Sequence, residues 1–466
     1  MLSLFSSLIL AQTTPAVPTM TSQEVVVPQQ MRSLPGQLDD VLVFNSNSPE
    51  LVQEEGILLS TFPPQGKQTP GAHLDVPLQG RFDVFAHHIA KAKTADDLRT
   101  LYLGIVLHNP GSQPITVDVL QAASYLSQPD APFATLPPSV ENPTGDVFAG
   151  PGSRVTDAVL RGRRQSDFPA QLAIPPGESR LLLNVPIPVK TLTPPLNGRS
   201  TVMRLRSTGR VYAASLAKFA TQMADGSEVA PTLEDWQTLL ETGKLAQPRD
   251  RTPTPLDQTK GAMIYGRVAG VAQGSRWIAQ IVDPEQTSKS NSQQWSLAIP
   301  QVGQAFSYGL STLLRGTLGT GQVQSAPMVA RYPDTAYQAH GNYAIEYNLT
   351  LPLQNTTDQP QTVAIALETP IKEEQLKEGL RFLEPPAKQV FFRGTVRLRY
   401  NDDQGLPQTR YVHLVQRRGQ QGEPLIVMKL AAGNRRLVQV DLLYPPDSTP
   451  PQILTVRTLS SEQTSR

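Results

Sequence analysis

The stretch LYLGIVLHNPGSQPITVDVL, residues 101–120, sets the architecture. Apolar side chains fill both alternating positions of LYLGIVL, the pattern of a strand buried on its two faces. Asn109-Pro110-Gly111 then reverses the chain, because proline presets φ and glycine accepts positive φ. The β-branched run ITVDVL returns as a second strand. The same sentence is written again at YNLTLPLQNTTDQPQTVAIAL, residues 347–367. Asn109, Gln113, Pro114, Thr116 and Val117 match Asn355, Gln359, Pro360, Thr362 and Val363, each 246 positions on.

A second similarity follows in the same order. PPGESRLLLNVPIPVKTLTPP (175–195) answers AAGNRRLVQVDLLYPPDSTPP (431–451), with Gly177, Arg180 and Thr193-Pro194-Pro195 matching Gly433, Arg436 and Thr449-Pro450-Pro451 at an offset of 256. A loop insertion of ten residues accounts for the change of offset. Ordered similarities of this kind predict a duplicated unit. The expected fold is therefore all-β: two tandem immunoglobulin-like antiparallel β-sandwich units from an internal duplication, with a few short helices.

The expected boundaries are a signal-peptide h-region over 1–11, an N-terminal extension with the first strands over 12–70, and a first sandwich over 71–245. A Pro-rich linker over 246–261, a second sandwich over 262–458 and a disordered tail over 459–466 complete the chain. Thr232 and Asp235 frame a capping box for a helix near 233–242 that buries Trp236, Leu239 and Leu240 and stops at Gly243. Short helices are also expected at 153–162 and 371–383. STVMRLRSTGRVYAASLA (200–217) reads as two strands joined by a tight turn at Ser207-Thr208-Gly209.

Composition narrows the function. The 41 Lys and Arg balance 40 Asp and Glu, so the basic excess of a nucleic-acid binder is missing. The chain has no cysteine, which removes disulfides, thiolate metal sites, cysteine nucleophiles and a lipoprotein anchor. The apolar run Leu2–Ala11, followed by a polar, Pro-rich stretch, predicts export to the periplasm, outer envelope or medium. No later stretch approaches the length of a membrane span.

Chemistry is harder to find. Neither G-x-S-x-G nor a phosphate-binding glycine loop is present, and no catalytic residue or cofactor is implied. Four of the six histidines lie close together in sequence, in or near RFDVFAHHIA (81–90). On a strand His87 and His88 point to opposite faces, so at most one serves any site. A metal site would draw on His73, His88, His108 and Asp83, a set suited to zinc, copper or manganese. Asp39, Asp40, Glu54 and Glu55 read as solvated turn acids, and RGRRQ (161–165) as a solvated basic loop. Tyr102, Tyr125, Trp236, Trp277, Trp295 and Tyr343 are the aromatics available for sugar stacking, although core packing accounts for most of them.

RSLPGQLDDVLVFNSNSPELVQEEGILLSTFPP (32–64), GRFDVFAHH (80–88) and AHGNYAIEYNLTLPL (339–353) resemble a cyanobacterial family of domains of unknown function, family 3370. The resemblance covers nearly the whole chain after the leader. It implies an exported protein and carries over no catalytic or binding residue. The expectation is a non-enzymatic cell-envelope or matrix protein that binds polysaccharide or another envelope component. A glycan hydrolase would instead need a carboxylate pair between the two units. A periplasmic metal binder would need His73, His88 and His108 to converge.

Overall fold

The computed structural model describes residues 22–460 apart from 95, 259 and 284–294. The expected leader and most of the expected tail lie outside the described residues. The protein is all-β, with two α-helices among the described residues, Pro151–Leu160 and Leu233–Thr242.

One strand of 24 residues, Leu196–Phe219, organises the first half. Its first part runs antiparallel between Leu78–Lys91 and Ile115–Leu126. Its second part pairs instead with Leu101–His108 and Gly56–Ser60. The break falls between Ser207 and Val211, where the register shifts. Ser207-Thr208-Gly209 is therefore not a tight turn between two strands, as the sequence suggested. It is an irregularity within one strand that carries the chain from one sheet layer into the other. The Ser207 hydroxyl donates to the Gly209 carbonyl at 2.7 Å, and a Cβ on Gly209 would stand 2.5 Å from Ile115. Phe44, Phe82, Val84, Leu103, Leu107, Val117 and Leu205 fill the space between the layers.

The repeated segments make the same pairings. Leu101–His108 pairs with Ser179–Ile187 so that His108 faces Ser179, and Glu346–Gln354 pairs with Arg435–Leu443 so that Gln354 faces Arg435. Ile115 faces Ile174 as Gln361 faces Leu430, and Val117 faces Ser207 as Val363 faces Thr458. One neighbour differs. The place that the long strand takes beside Leu101–His108 is filled beside Glu346–Gln354 by Arg276–Gln280, running parallel.

Strands cross between the halves. Leu42–Ser46 lies between Leu78–Lys91 and Ala269–Gln273, Gln37–Leu38 pairs with Arg276–Gln280, and Ser139–Glu141 extends the sheet beside Pro407–Arg417. The Pro-rich segment begins docked, with Gln247 bridging Glu54 and Leu245 bridging Ile57.

Helix Leu233–Thr242 has the expected capping box between Thr232 and Asp235. It lays Trp236 over Leu101–His108 at Gly104, where a Cβ would come 2.6 Å from the indole. Helix Pro151–Leu160 starts with proline at its first turn and is followed by Gly162 at φ 75°. It is wedged between strands of both halves, its Val155, Ala158, Val159 and Leu160 packing with Phe85, Val202 and Leu443. The helix expected at 371–383 is absent. Leu380–Glu384 is a strand paired with Gln23–Val27, with Leu380 and Phe382 buried at alternate positions. Its entry runs so close to the partner strand that a Cβ on Gly379 would lie 2.3 Å from the Val27 carbonyl oxygen, and tertiary pairing overrides the helix-forming composition.

Candidate functional site

His87 and His88 occupy opposite faces of Leu78–Lys91, as a strand requires. His88 faces the core, where its Nδ1 donates to the Pro49 carbonyl at 2.8 Å and its Nε2 accepts from the Ser46 hydroxyl at 2.9 Å. Both ring nitrogens are occupied, and burial drives its pKa down to about 4. Asp83 lies on the other face, 2.7 Å from Arg81 Nη1. His73 Nδ1 meets Ser60 Oγ at 2.9 Å, and His108 Nδ1 meets Ser179 Oγ at 3.1 Å. Burial lowers the pKa of both rings, and the nearby Lys67 ammonium lowers it further. Lys67 repels a cation from the place where these two histidines come nearest to sharing surroundings. Among the described residues no group of three or more His, Cys, Asp or Glu side chains is arranged to hold a metal ion.

A carboxylate pair does span the two halves. Asp83 and Glu346 both face Arg204, whose Nε is 3.6 Å from Asp83 Oδ2 and whose Nη2 is 2.6 Å from Glu346 Oε2. Burial pushes Asp83 up against the opposing pull of Arg204 and Arg81. Burial acts on Glu346 in the same sense, but Arg204, Asn348 and Arg276 outweigh it and hold the carboxyl below its usual value. Two carboxyls with divergent affinities for a proton suit acid–base work. Here, however, a guanidinium fills the gap that a glycosidic bond would need. Of the other acids, Asp39 accepts from the Ser275 backbone N–H at 2.6 Å, Glu54 pairs with Lys93 at 2.5 Å, and Glu55 accepts from the Phe219 N–H at 2.8 Å.

The sequence did not reveal the chain Ser200–His87–Glu50. Ser200 Oγ lies 2.7 Å from His87 Nδ1, and His87 Nε2 lies 3.7 Å from Glu50 Oε1. The order is that of a hydrolytic triad, but the exposures are inverted. Ser200 is fully buried, whereas the Glu50 side chain retains 25% of its exposure. A nucleophile must be the accessible end of such a chain. This one has no route to a substrate.

One groove open to solvent lies between the halves. One wall is the loop carrying Phe133 and Thr135, and the other is the hairpin of Val390–Asn401 and Pro407–Arg417. Phe133 is 54% exposed, and the Arg393 guanidinium lies over its ring at 5.3 Å. Lys388 and Arg417 complete the cationic lining, and among the described residues no carboxylate lines the groove. Among the described residues none of these three cations has an ion-pair partner within 4.0 Å, whereas Arg81, Arg161, Arg249 and Arg397 all do. Burial lowers the pKa of Arg393. The carboxylate it feels is Asp447, whose Oδ2 is already engaged at 3.0 Å by the N–H of Gly152 at the start of the wedge helix. One half-buried and two exposed cations without ion-pair partners, beside an exposed ring, form a receptor for an anion carried on an apolar or sugar scaffold.

The profile of a family described as "Protein of unknown function (DUF3370)" matches residues 29–458. The chain belongs to this family. No curated protein matches it. Among solved structures, "Crystal structure of Lac15 from a marine microbial metagenome" aligns at 10% identity over 91% of this chain, which spans 64% of that one, with a TM-score of 0.10. At that score the likeness carries no argument about fold or function.

In this DUF3370 chain the aromatics that the sequence offered for stacking are mostly structural. Trp236 and Trp277 are core residues, and Trp295 is exposed. Phe133 was passed over. Its signal was present in PDAPFATLPP (129–138), where a lone phenylalanine sits among prolines with no alternating pattern to bury it. Lys388, Arg393 and Arg417 carried no comparable signal, since only the folded hairpin brings them together.

Proposed function

We propose that this DUF3370 protein is an exported, non-enzymatic component of the cell envelope or extracellular matrix that binds an acidic polysaccharide in the Phe133 groove. The observation that carries this reading is the set of three unpaired cations, Lys388, Arg393 and Arg417, around an exposed aromatic ring in a groove without acids. Carboxylate or sulfate groups on sugars supply the missing counter-charge, and a sugar ring packs against Phe133. The blocked carboxylate pair and the sealed serine weigh against hydrolysis. The matched pairings around Asn109 and Asn355 support two immunoglobulin-like sandwiches descended from one duplicated unit, with the N-terminal strands stitching them together.

The test is titration with oligogalacturonate at low and high salt. K388Q/R393Q/R417Q should lose the oligogalacturonate held in the Phe133 groove, F133A should weaken binding there, and added salt should weaken the wild type, because exposed charges are screened. A number of bound oligogalacturonates that the triple substitution leaves unchanged would move the site elsewhere. Export is tested separately: a mature N-terminus near Gln12 in the periplasm, envelope or medium supports it, and an intact Met1 in the cytosol overturns it.

A further inference from the structure

We infer that the protein has a second anion groove, at the other end of the same hairpin, and is therefore a bivalent cross-linker of acidic glycan chains. This rests on the proposed function of the first groove. The second groove is lined by Arg399, Thr409, Arg435 and Gln439. Its charge is unbalanced at one atom. Asp441 Oδ2 accepts from Arg397 Nε at 3.0 Å and from Arg399 Nη2 at 3.0 Å, so one carboxylate oxygen serves two guanidiniums. Arg397 is the more buried of the two, with 20% of its side chain exposed against 41% for Arg399. Arg397 is also tied to the Leu160 carbonyl at the end of the wedge helix. Arg399 faces the groove, and among the described residues its Nε has no hydrogen-bond partner. Arg435 is exposed, and among the described residues its guanidinium donates only to the neutral carbonyl of Trp295.

Among the described residues Asp402 and Asp403, the acids beside this groove, are already engaged. Asp402 accepts from the N–H groups of Gln404 and Leu406 and from the Gln408 amide at 2.7 Å, while Asp403 accepts from the Lys429 N–H at 3.0 Å and faces Arg436 at 3.4 Å. Arg436 is directed at the Asn401 and Asp402 carbonyls. Two guanidiniums without full counter-charge, flanked by Gln439 and Thr409, form a site for a sugar carboxylate or sulfate. Among the described residues the ring that lines the second groove, Tyr400, is half-buried and packed against the core beneath it, and the near-neutral chain lacks the basic field of a nucleic-acid binder.

Arg393 and Arg399 stand on the same face of one strand, six residues apart, which is about 20 Å. Between them that face is closed: Thr395 and His413 are buried where the wedge helix packs across the strands. A glycan cannot run straight from one groove into the other. The two grooves therefore take separate stretches or separate chains, which is the property of a matrix cross-linker.

The experiment compares short and long ligands. Galacturonate hexamers, titrated calorimetrically, should bind the wild type at two per chain. R399Q/R435Q and K388Q/R393Q/R417Q should each bind one, and R399K/R435K should stay at two. Polygalacturonate should be gathered into light-scattering particles by the wild type and by neither Gln variant, with apparent affinity for the polymer falling about tenfold or more in each. Circular dichroism melting establishes that the variants are folded, and the charge-preserving Lys variant distinguishes charge from packing. One hexamer per wild-type chain, or undiminished particle formation by R399Q/R435Q, overturns the second groove while leaving the first intact. No binding of hexamer or polymer by the wild type overturns the proposed function itself. Tighter binding of an oligothymidylate than of the hexamer overturns the assignment to glycans.

Discussion

Asn109 and Asn355, 246 residues apart, do the same work with the same atoms. Asn109 Nδ2 donates to the carbonyls of Gln113 (2.7 Å), Ile174 (3.0 Å) and Pro175 (3.2 Å). Asn355 Nδ2 donates to those of Gln359 (2.8 Å), Leu430 (3.0 Å) and Ala431 (3.1 Å). Each Oδ1 accepts from the N–H two residues on, of Gly111 and of Thr357. One side chain thus closes its own turn and ties it to the turn that leads into the partner strand. Both asparagines are fully buried.

Replacing either with alanine strands several buried carbonyls, so Asn109→Ala and Asn355→Ala should each cost about 2–3 kcal/mol in urea unfolding. Aspartate should not restore the loss, because it has no N–H to donate. Unequal costs, with one variant near neutral, would show that the two turns carry different loads despite the shared geometry.

That shared turn was legible in the sequence because it is local: the Asn, the turn residues and the Gln-Pro lie within a few positions. So were the strand holding His87 and His88 and the capping box at Thr232. The long strand was misread because Ser-Thr-Gly has turn composition, and only pairing with two different layers keeps Ser207–Gly209 extended. The groove was not legible at all. Phe133 and Arg417 are 284 positions apart in sequence and meet only because Ser139–Glu141 crosses to pair with Pro407–Arg417. The near balance of charge hid the cations, since composition counts Lys388 and Arg393 against acids that lie elsewhere.

Arg204 holds two carboxylates from opposite halves, and the Asp83 and Glu346 side chains are each only 8% exposed. Arg204→Ala leaves both short of a partner in a poorly solvated place. The expected loss is about 3 kcal/mol, tempered because Asp83 keeps Arg81 and Glu346 keeps Arg276. Combining R204M with D83N and E346Q should recover only part of that loss, since it removes three buried charges but leaves Arg81 and Arg276 without their carboxylates. If R204A alone is neutral, the network does not hold the halves together.

Asp447 sits at the N-terminus of the wedge helix, and burial pushes its carboxyl up to about 6 against the opposing influence of Arg393. A carboxyl raised in the folded state contributes stability below its unfolded value, near 4, and that contribution is lost as pH rises through about 6. Asp447→Asn keeps an acceptor for the Gly152 N–H and removes the charge. It should be about 1–2 kcal/mol more stable than the wild type at pH 7.5, with the difference closing below pH 4. It should also bind oligogalacturonate more tightly, because a negative charge near Arg393 is gone. A destabilised variant at pH 7.5 would show that the ionised cap outweighs its burial.

The histidines give the protein its strongest response to acid. Burial is the chief cause in every case: it lowers His73, His88, His340 and His413 to about 4 and His87 to about 3, and it lowers His108 as well. In the unfolded chain these rings titrate near 6.5. Between about pH 6.5 and 4 the unfolded state therefore binds protons that the folded state refuses, and stability must fall as pH falls through that window. Glu50 and Asp83, raised by burial, work the other way and reduce the net uptake. The expected result is a melting temperature that is nearly flat above pH 7 and drops steeply towards pH 5. Unfolding at pH 5.5 should take up several protons per chain, measured as the slope of unfolding free energy against pH. His413→Asn, which removes a ring whose Nε2 has no hydrogen-bond partner, should make that slope shallower by about one proton. A melting temperature unchanged between pH 5 and 7 would show that burial does not hold the rings neutral in the folded protein.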